Sequence, residues 1–219
     1  MIRVTTLLLA TRNAHKAGEI RAILGDQFQL LTLNNFSGAP KVVEDASTFA
    51  GNATKKSVEL ARWVQSSGFK VPGWKFFVLA DDSGLEVDAL DGAPGVHSAR
   101  FAAVDSEKNE NSSDAENNAK LLRLLENIPA EKRTARFSCI LALTPVPLIE
   151  SQTQLFDGVC EGEIIFKPHG KNGFGYDPLF VPNGFVQTFA ELGEDVKNKL
   201  SHRAKALKKL KNYFSKSPS

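Results

Sequence analysis

The stretch Val4-Thr5-Thr6-Leu7-Leu8-Leu9-Ala10, followed at once by Thr11-Arg12-Asn13 and then by residues 14–24, decides the fold class. Residues 4–10 are β-rich and largely apolar, the pattern of a strand covered on both faces. Thr11-Arg12-Asn13 breaks that strand. Ala17, Ile20 and Leu24 then recur at helical spacing, which predicts an amphipathic helix over residues 14–24. Outward from this unit, residues 28–33 read as a second strand. A loop with Gly38 and Pro40 runs to Glu44-Asp45, and Ser47 or Thr48 is placed to cap a helix over residues 49–65. Residues 76–80 read as another buried strand, ended abruptly by Asp81-Asp82-Ser83-Gly84.

Further along, residues 102–118 are acidic, polar and rich in Asn and Ser, and read as a loop or insertion. Residues 119–125 read as helix and residues 134–143 as a strand entering a core. Residues 154–160 and 163–166 suggest a hairpin turning at Gly162. A Gly- and aromatic-rich loop over residues 168–182 precedes a last helix over residues 201–214, with residues 215–219 as a frayed tail. Interleaved strands and helices argue an α/β fold, and the hairpin argues a mixed sheet.

The composition excludes several classes. The chain has 219 residues, 42% of them apolar and 24% charged, within the range of one globular domain. Collagen, wholesale disorder and a disulfide scaffold are ruled out. A net charge of +2 does not indicate nucleic-acid binding. Cys139 and Cys160 are too few to staple a secreted fold, and His15, His97, His169 and His202 show no zinc-ligand spacing. No apolar run approaches the ~18 residues of a membrane helix, and the chain reads as cytosolic.

Five groups of residues carry chemistry, and each admits a plainer reading. Thr11-Arg12-Asn13-Ala14-His15-Lys16 joins a buried strand to a helix N-terminus, where free amides and a partial positive charge collect phosphates; the plainer reading is a capped turn with a surface lysine. Lys56 interrupts the stripe Phe49, Ala53, Leu60, Val64, either snorkelling outward or aimed into an anionic cleft, with Asn52 one turn earlier. Asp81-Asp82 are adjacent acids that repel unless a cation is present, and hard oxygens with open coordination suit Mg²⁺; the alternative is a turn. In Gly170-Lys171-Asn172-Gly173-Phe174-Gly175-Tyr176-Asp177-Pro178 the glycines allow close backbone approach, the aromatic rings give a stacking surface for a base, and Asp177 either meets a purine edge or organises the loop; the alternative is a tight aromatic-anchored turn. Arg203 shares a face with Leu200, Ala204, Leu207 and Leu210, so it points inward and needs an anion or carbonyl partner, while Ser201 caps its helix beside His202.

Ala80-Asp81-Asp82-Ser83-Gly84-Leu85, Gly92-Ala93-Pro94-Gly95-Val96-His97-Ser98-Ala99-Arg100, Gly173-Phe174-Gly175-Tyr176-Asp177-Pro178 and Ser201-His202-Arg203, in this order, resemble the inosine/xanthosine triphosphate pyrophosphatase family. The likeness runs from about residue 7 to residue 210. It implies a long curved mixed sheet flanked by helices, two lobes with a central nucleotide cleft over residues 1–214, and a homodimer. It implies that Thr11, Asn13 and Lys16 hold the triphosphate within the segment that also contains Arg12, Ala14 and His15, with Lys56 beside them. Glu44 and Asp82 match the family's metal-binding acids, Asp82 also its proton acceptor, and Ser83 flanks it. Phe174, Gly175, Tyr176 and Asp177 match the base-side loop, and Lys197, His202 and Arg203 the pocket that reads a purine 6-keto edge. Three positions depart from the family pattern: Arg12 stands for a usual glycine, Gly51 for a glutamate and Ser57 for an alanine. Residues 103–117 look longer and more polar than is typical.

The implied activity is Mg²⁺-dependent cleavage of ITP, dITP and XTP to monophosphate and pyrophosphate. The nearest alternative is a related pyrophosphatase acting on modified pyrimidine nucleotides. A nucleotide- or RNA-binding module using the basic last helix would have no need of Glu44, Asp81 and Asp82, which repel phosphate unless a metal intervenes.

Overall fold

The computed structural model describes residues 4–36, 38–69, 75–104 and 111–216. Strand β1 (Thr5–Leu9) is buried from Thr6 to Leu9, as its largely apolar run requires, and residues 10–13 lead from it to helix α1 (Ala14–Leu24). It pairs in parallel with β2 (Phe28–Thr32) on one side and β3 (Lys75–Val87) on the other, setting Leu7 opposite Leu30 and Phe77. Helix α2 (Phe49–Ser66) lies between β2 and β3 in sequence, with Thr48 accepting from the Gly51 amide as its N-cap. After α3 (Asp114–Leu124) come β4 (Thr134–Val146), β5 (Gln154–Ile164), β6 (Phe180–Pro182) and helices α4 (Phe189–Leu192), α5 (Glu194–Leu200) and α6 (His202–Lys216). The sheet order is β2-β1-β3-β4-β5-β6, and β5 and β6 are antiparallel, so the sheet is mixed and flanked by helices as the sequence suggested.

Two compact units divide the chain. The first comprises Met1–Asp82, Cys139–Asp157 and Ala206–Ser219; the second comprises Ser83–Ser138 and Gly158–Lys205. Each has its own core. In the first, Leu7, Leu9, Ile20 and Leu24 pack with Leu141, Leu207 and Leu210, while Leu8, Leu60, Val64 and Val78 form a second cluster. In the second, Leu85, Val87, Leu121, Phe137, Leu179, Phe180 and Phe189 pack together. Among the described residues no helix is long and apolar enough to cross a membrane.

Several boundaries differ from the sequence reading. Strand β3 does not end at Ala80 but continues through Asp81, Asp82, Ser83 and Gly84 to Val87. Partners on either face overcome the poor strand propensity of those residues, Lys16 bonding Asp81 and Arg203 bonding Ser83. Helix α3 starts at Asp114, five residues before the expected start, because Ser113 and Glu116 form a reciprocal capping box. Gly95–Ala103 forms 3₁₀ turns kinked at Arg100, and residues 105–110 of the expected insertion lie outside the described residues. Residues 154–164 make no hairpin: β5 runs unbroken through Gly162, and the loop expected over residues 168–182 contains β6. Helix α6 begins after the Ser201 cap, whose hydroxyl accepts from the Ala204 amide, and extends through Ser215 and Lys216; the last three residues of the expected tail lie outside the described residues.

Gly162 owes its identity to close approach. A Cβ there would stand 2.3 Å from the Val181 carbonyl oxygen and 2.6 Å from the Phe180 ring. Gly162→Val must therefore separate β5 from β6, at a cost of about 1–3 kcal/mol or more. A urea or thermal unfolding curve should show this loss, whereas a glycine at a hairpin tip would tolerate the change with little effect.

Candidate functional site

In the first unit, the acids of β3 meet two lysines. Asp81 and Asp82 are adjacent in a strand, so their side chains leave on opposite faces. Asp81, 4% exposed, pairs with Lys16 Nζ at 2.6 Å and accepts from the Cys139 thiol at 3.4 Å. Asp82, 6% exposed, lies near Lys56, Lys16, Glu44 and Asn52. Burial pushes its carboxyl up to about 6; Lys56 and then Lys16 pull it down, and Glu44 pushes it up. Lys56 Nζ donates to the Asp81 carbonyl at 3.1 Å and pairs with Glu44 at 3.1 Å, so this lysine is turned into the acidic group rather than out to solvent. Asn52 Oδ1 accepts from the Ala46 amide at 2.9 Å and so ties the segment carrying Glu44 to α2.

Two buried atoms here have no hydrogen-bond partner: Asp82 Oδ2 and Asn52 Nδ2. The amide still lies close enough to favour the carboxylate weakly. A buried carboxylate oxygen without a donor is costly as it stands and is well suited to a cation. Among the described residues no group of three or more His, Cys, Asp or Glu side chains gathers as a metal cage. Glu44 and Asp82 therefore form a two-carboxylate set, the number that commonly holds Mg²⁺ when substrate phosphates complete its coordination. The residues present fit that ion.

The turn before α1 is a capped helix start. Asn13 Oδ1 accepts from the Lys16 amide at 3.0 Å, and Thr11 Oγ1 accepts from the Asn13 amide at 3.0 Å. Ala14 and His15 are exposed in the first turn. Arg12 is not gathered with them: its guanidinium donates to the Ala39 carbonyl at 2.9 Å, bracing the loop before Glu44. The other two departures from the family pattern also have local partners. A Cβ on Gly51 would meet Ala46 Cβ at 2.8 Å, so the segment after Glu44 occupies the space a larger residue would need. Ser57 joins a buried hydroxyl chain, accepting from Thr144 at 2.8 Å, with Thr144 3.0 Å from Thr153.

The second unit holds the remaining predicted residues. Lys197, 3% exposed, donates to Asp177 Oδ2 at 2.5 Å and stands 4.4 Å from the centre of the Phe174 ring. The same Asp177 oxygen accepts from the Phe174 amide at 2.8 Å, so Asp177 organises the loop. Tyr176 is buried and donates its hydroxyl to the Ser98 carbonyl at 2.9 Å; burial, with Asp114 nearby, raises its phenol above the ordinary tyrosine value. His202 stacks on Phe137 with ring centres 4.9 Å apart. Arg203, 1% exposed, donates to Ser83 Oγ at 2.8 Å, so the inward arginine has a hydroxyl partner. A charged, aromatic-faced group of this kind suits a flat heterocycle with carbonyl acceptors.

Sequence reasoning missed two residues in this unit. Asp114 and Asn118 both bond the backbone of Gly175. They stand in the polar stretch read as an insertion, and the only signal for them was the Ser113/Glu116 box that starts α3 before residue 114.

Comparison with known proteins bears out the resemblance drawn from the four motifs. The model of the Ham1 family matches residues 7–213. The dITP/XTP pyrophosphatase of Desulforamulus reducens is 46% identical over 204 residues, 93% of this chain and 92% of the relative. That of Exiguobacterium sibiricum is 47% identical over 205 residues, 93% and 94% of the two chains. Among solved structures, a HAM1 protein from Coxiella burnetii aligns with a TM-score of 0.80 at 36% identity, covering 98% of this chain and all of its own. The Staphylococcus aureus Ham1 protein aligns at 0.78 and 34%, covering 96% and 98%. With motifs, fold and whole-length similarity in agreement, the chain belongs to the Ham1 family.

Proposed function

We propose that this protein is a nucleoside triphosphate pyrophosphatase that hydrolyses dITP, ITP and XTP to the monophosphate and pyrophosphate. The observation that carries the reading is the buried Asp82 carboxylate, its Oδ2 without a hydrogen-bond partner, set beside Lys56, Lys16 and Glu44. The relatives named as dITP/XTP pyrophosphatases, matched along more than nine-tenths of their length, supply the substrate class.

In this reading the residues around Asp82 take the triphosphate. Lys16 and Lys56 donate to phosphate oxygens, and Thr11, Asn13 and the free amides at the start of α1 line the same turn. Mg²⁺ held by Glu44 and Asp82 would screen the phosphate oxygens and polarise the phosphorus under attack. Water attacks the α-phosphorus, a new P–O bond forms, the α–β anhydride bond breaks and pyrophosphate leaves. Asp82 accepts the water's proton, and the two lysines offset the charge gathering on the leaving group. For the base, Phe174 stacks on it, and Lys197, His202, Arg203 and Ser83 face its polar edge. A 6-keto oxygen accepts from such donors, while a 6-amino group leaves them unpaired, which disfavours ATP. The protein acts as a homodimer in this reading, a point that light scattering would check directly.

Asp82→Asn keeps the side chain's shape and removes both the charge and the proton acceptor. Its turnover of ITP should fall by about a hundredfold or more, with no loss in melting temperature, as read by pyrophosphate release and circular dichroism. Normal turnover in the folded variant would remove the assignment.

Metal dependence has a separate readout. EDTA should abolish activity and added Mg²⁺ restore it, and calorimetry should find weaker Mg²⁺ binding to Glu44→Gln than to the parent protein. Equal binding would exclude Glu44 as a ligand.

Arg203→Ala should lower kcat/KM for ITP by about tenfold or more, the scale of a lost hydrogen bond from a charged donor, and lower that for ATP much less. Equal losses for both nucleotides would make Arg203 a structural partner of Ser83 alone. dUTP assayed in parallel tests for a pyrimidine preference.

A further inference from the structure

Gly175 lies between the two aromatic residues of the base-side loop, at φ = +64°, a conformation that glycine enters readily and other residues do not. Glycine's freedom is also a liability in that place, because nothing in its own side chain holds the peptide planes on either side. Helix α3 holds both. The Gly175 amide, which belongs to the Phe174–Gly175 peptide, donates to Asp114 Oδ2 at 2.6 Å. The Gly175 carbonyl, which belongs to the Gly175–Tyr176 peptide, accepts from Asn118 Nδ2 at 3.0 Å. Asp114 and Asn118 are four residues apart and share one helix face, so a single rigid element grips the glycine at both ends.

The helix is anchored in turn. Asn117 Oδ1 accepts from the Ala102 amide at 2.8 Å and Lys120 Nζ donates to the Phe101 carbonyl at 2.8 Å, tying α3 to the 3₁₀ helix Gly95–Ala103. That segment is kinked at Arg100; before the kink, the Ser98 carbonyl accepts from the Tyr176 hydroxyl and the Ala99 carbonyl accepts from Asn117 Nδ2 at 3.4 Å. The chain of bonds therefore closes on itself: loop to α3, α3 to the 3₁₀ helix, 3₁₀ helix back to the loop.

We propose that Asp114 and Asn118 are positioning residues for nucleobase recognition, fixing both peptide planes around Gly175 so that the Phe174 ring is presented in one orientation before substrate arrives. The proposal rests on the reading that this loop meets the base. Ordering one backbone residue corresponds to about a five- to thirtyfold factor in an equilibrium constant. A loop ordered in advance spares the substrate that factor, so the two residues act on affinity for the base and not on the chemical step.

The test compares the parent protein with Asp114→Ala/Asn118→Ala, Asp114→Asn and Phe174→Ala. The double variant should raise KM for ITP about five- to thirtyfold with kcat changed much less. Its inhibition constant for inorganic tripolyphosphate, which has no base, should stay as in the parent. Asp114→Asn loses the charge at the helix N-terminus but keeps an acceptor oxygen, so it should retain most of the parent's KM. An unchanged KM in the double variant, alongside a raised KM in Phe174→Ala, would overturn the positioning role and leave the functional reading in place. A KM unchanged in both would overturn the base-loop reading itself, and the positioning role with it. A parallel rise in the tripolyphosphate constant would mean that the substitutions disturb the protein generally, which also overturns the proposal.

Discussion

A pair of adjacent carboxylates in the middle of a buried strand must be met by cations, and the first unit is arranged around that need. Asp81 and Asp82 are 4% and 6% exposed, and strand alternation sends them to opposite faces; Lys16 pairs with Asp81 and also draws the Asp82 carboxyl down, behind Lys56. Lys16 reaches Asp81 from the first turn of α1, and Lys56 comes from the apolar stripe of α2 to the Asp81 carbonyl and Glu44. Both Asp81 oxygens have partners, whereas the Asp82 carboxyl is pushed up to about 6 by burial and its Oδ2 has no hydrogen-bond partner. The two neighbouring acids therefore differ in what they have to offer, since a fully paired carboxylate has little left to give a ligand.

The sheet's first three strands and both early helices were legible because each signal was local. Leu7-Leu8-Leu9 could only be covered on both faces, and Thr48 and Ser201 capped where hydroxyls precede helical periodicity. Errors arose where partners distant in sequence overrode local preference. Asp-Asp-Ser-Gly reads as a turn until Lys16 and Arg203, respectively about 65 residues before Asp81 and 120 after Ser83, are known to bond it. Gly162 reads as a turn until β6 is known to pass so close that no side chain fits. The early start of α3 was a different failure, since the Ser113/Glu116 box was present but outweighed by polar composition.

The candidate site was legible as a set of residue types and less so as a set of partnerships. Lys56, Glu44 and Asp82 do come together, and so do Phe174, Asp177 and Lys197. Arg12 does not join them, because its reach takes it to the Ala39 carbonyl. The residues at Gly51 and Ser57 read as losses against a family pattern but are accommodated by neighbours, Ala46 in one case and Thr144 in the other. Substitutions matched by compensating contacts are what a sequence compared with a pattern cannot display.

The core of the first unit joins residues at opposite ends of the chain: Leu7 and Ile20 share a cluster with Leu207 and Leu210. During synthesis the first strand and helix leave the ribosome long before the helix that covers them. The early apolar surface must wait, transiently open, for nearly the whole chain to follow. A nonsense or frameshift change just before α6 would therefore act as a deletion from the first unit's core, exposing leucines laid down some two hundred residues earlier. Such a shortened chain is a target for aggregation and proteolysis even though every residue assigned to phosphate and metal is still present in it.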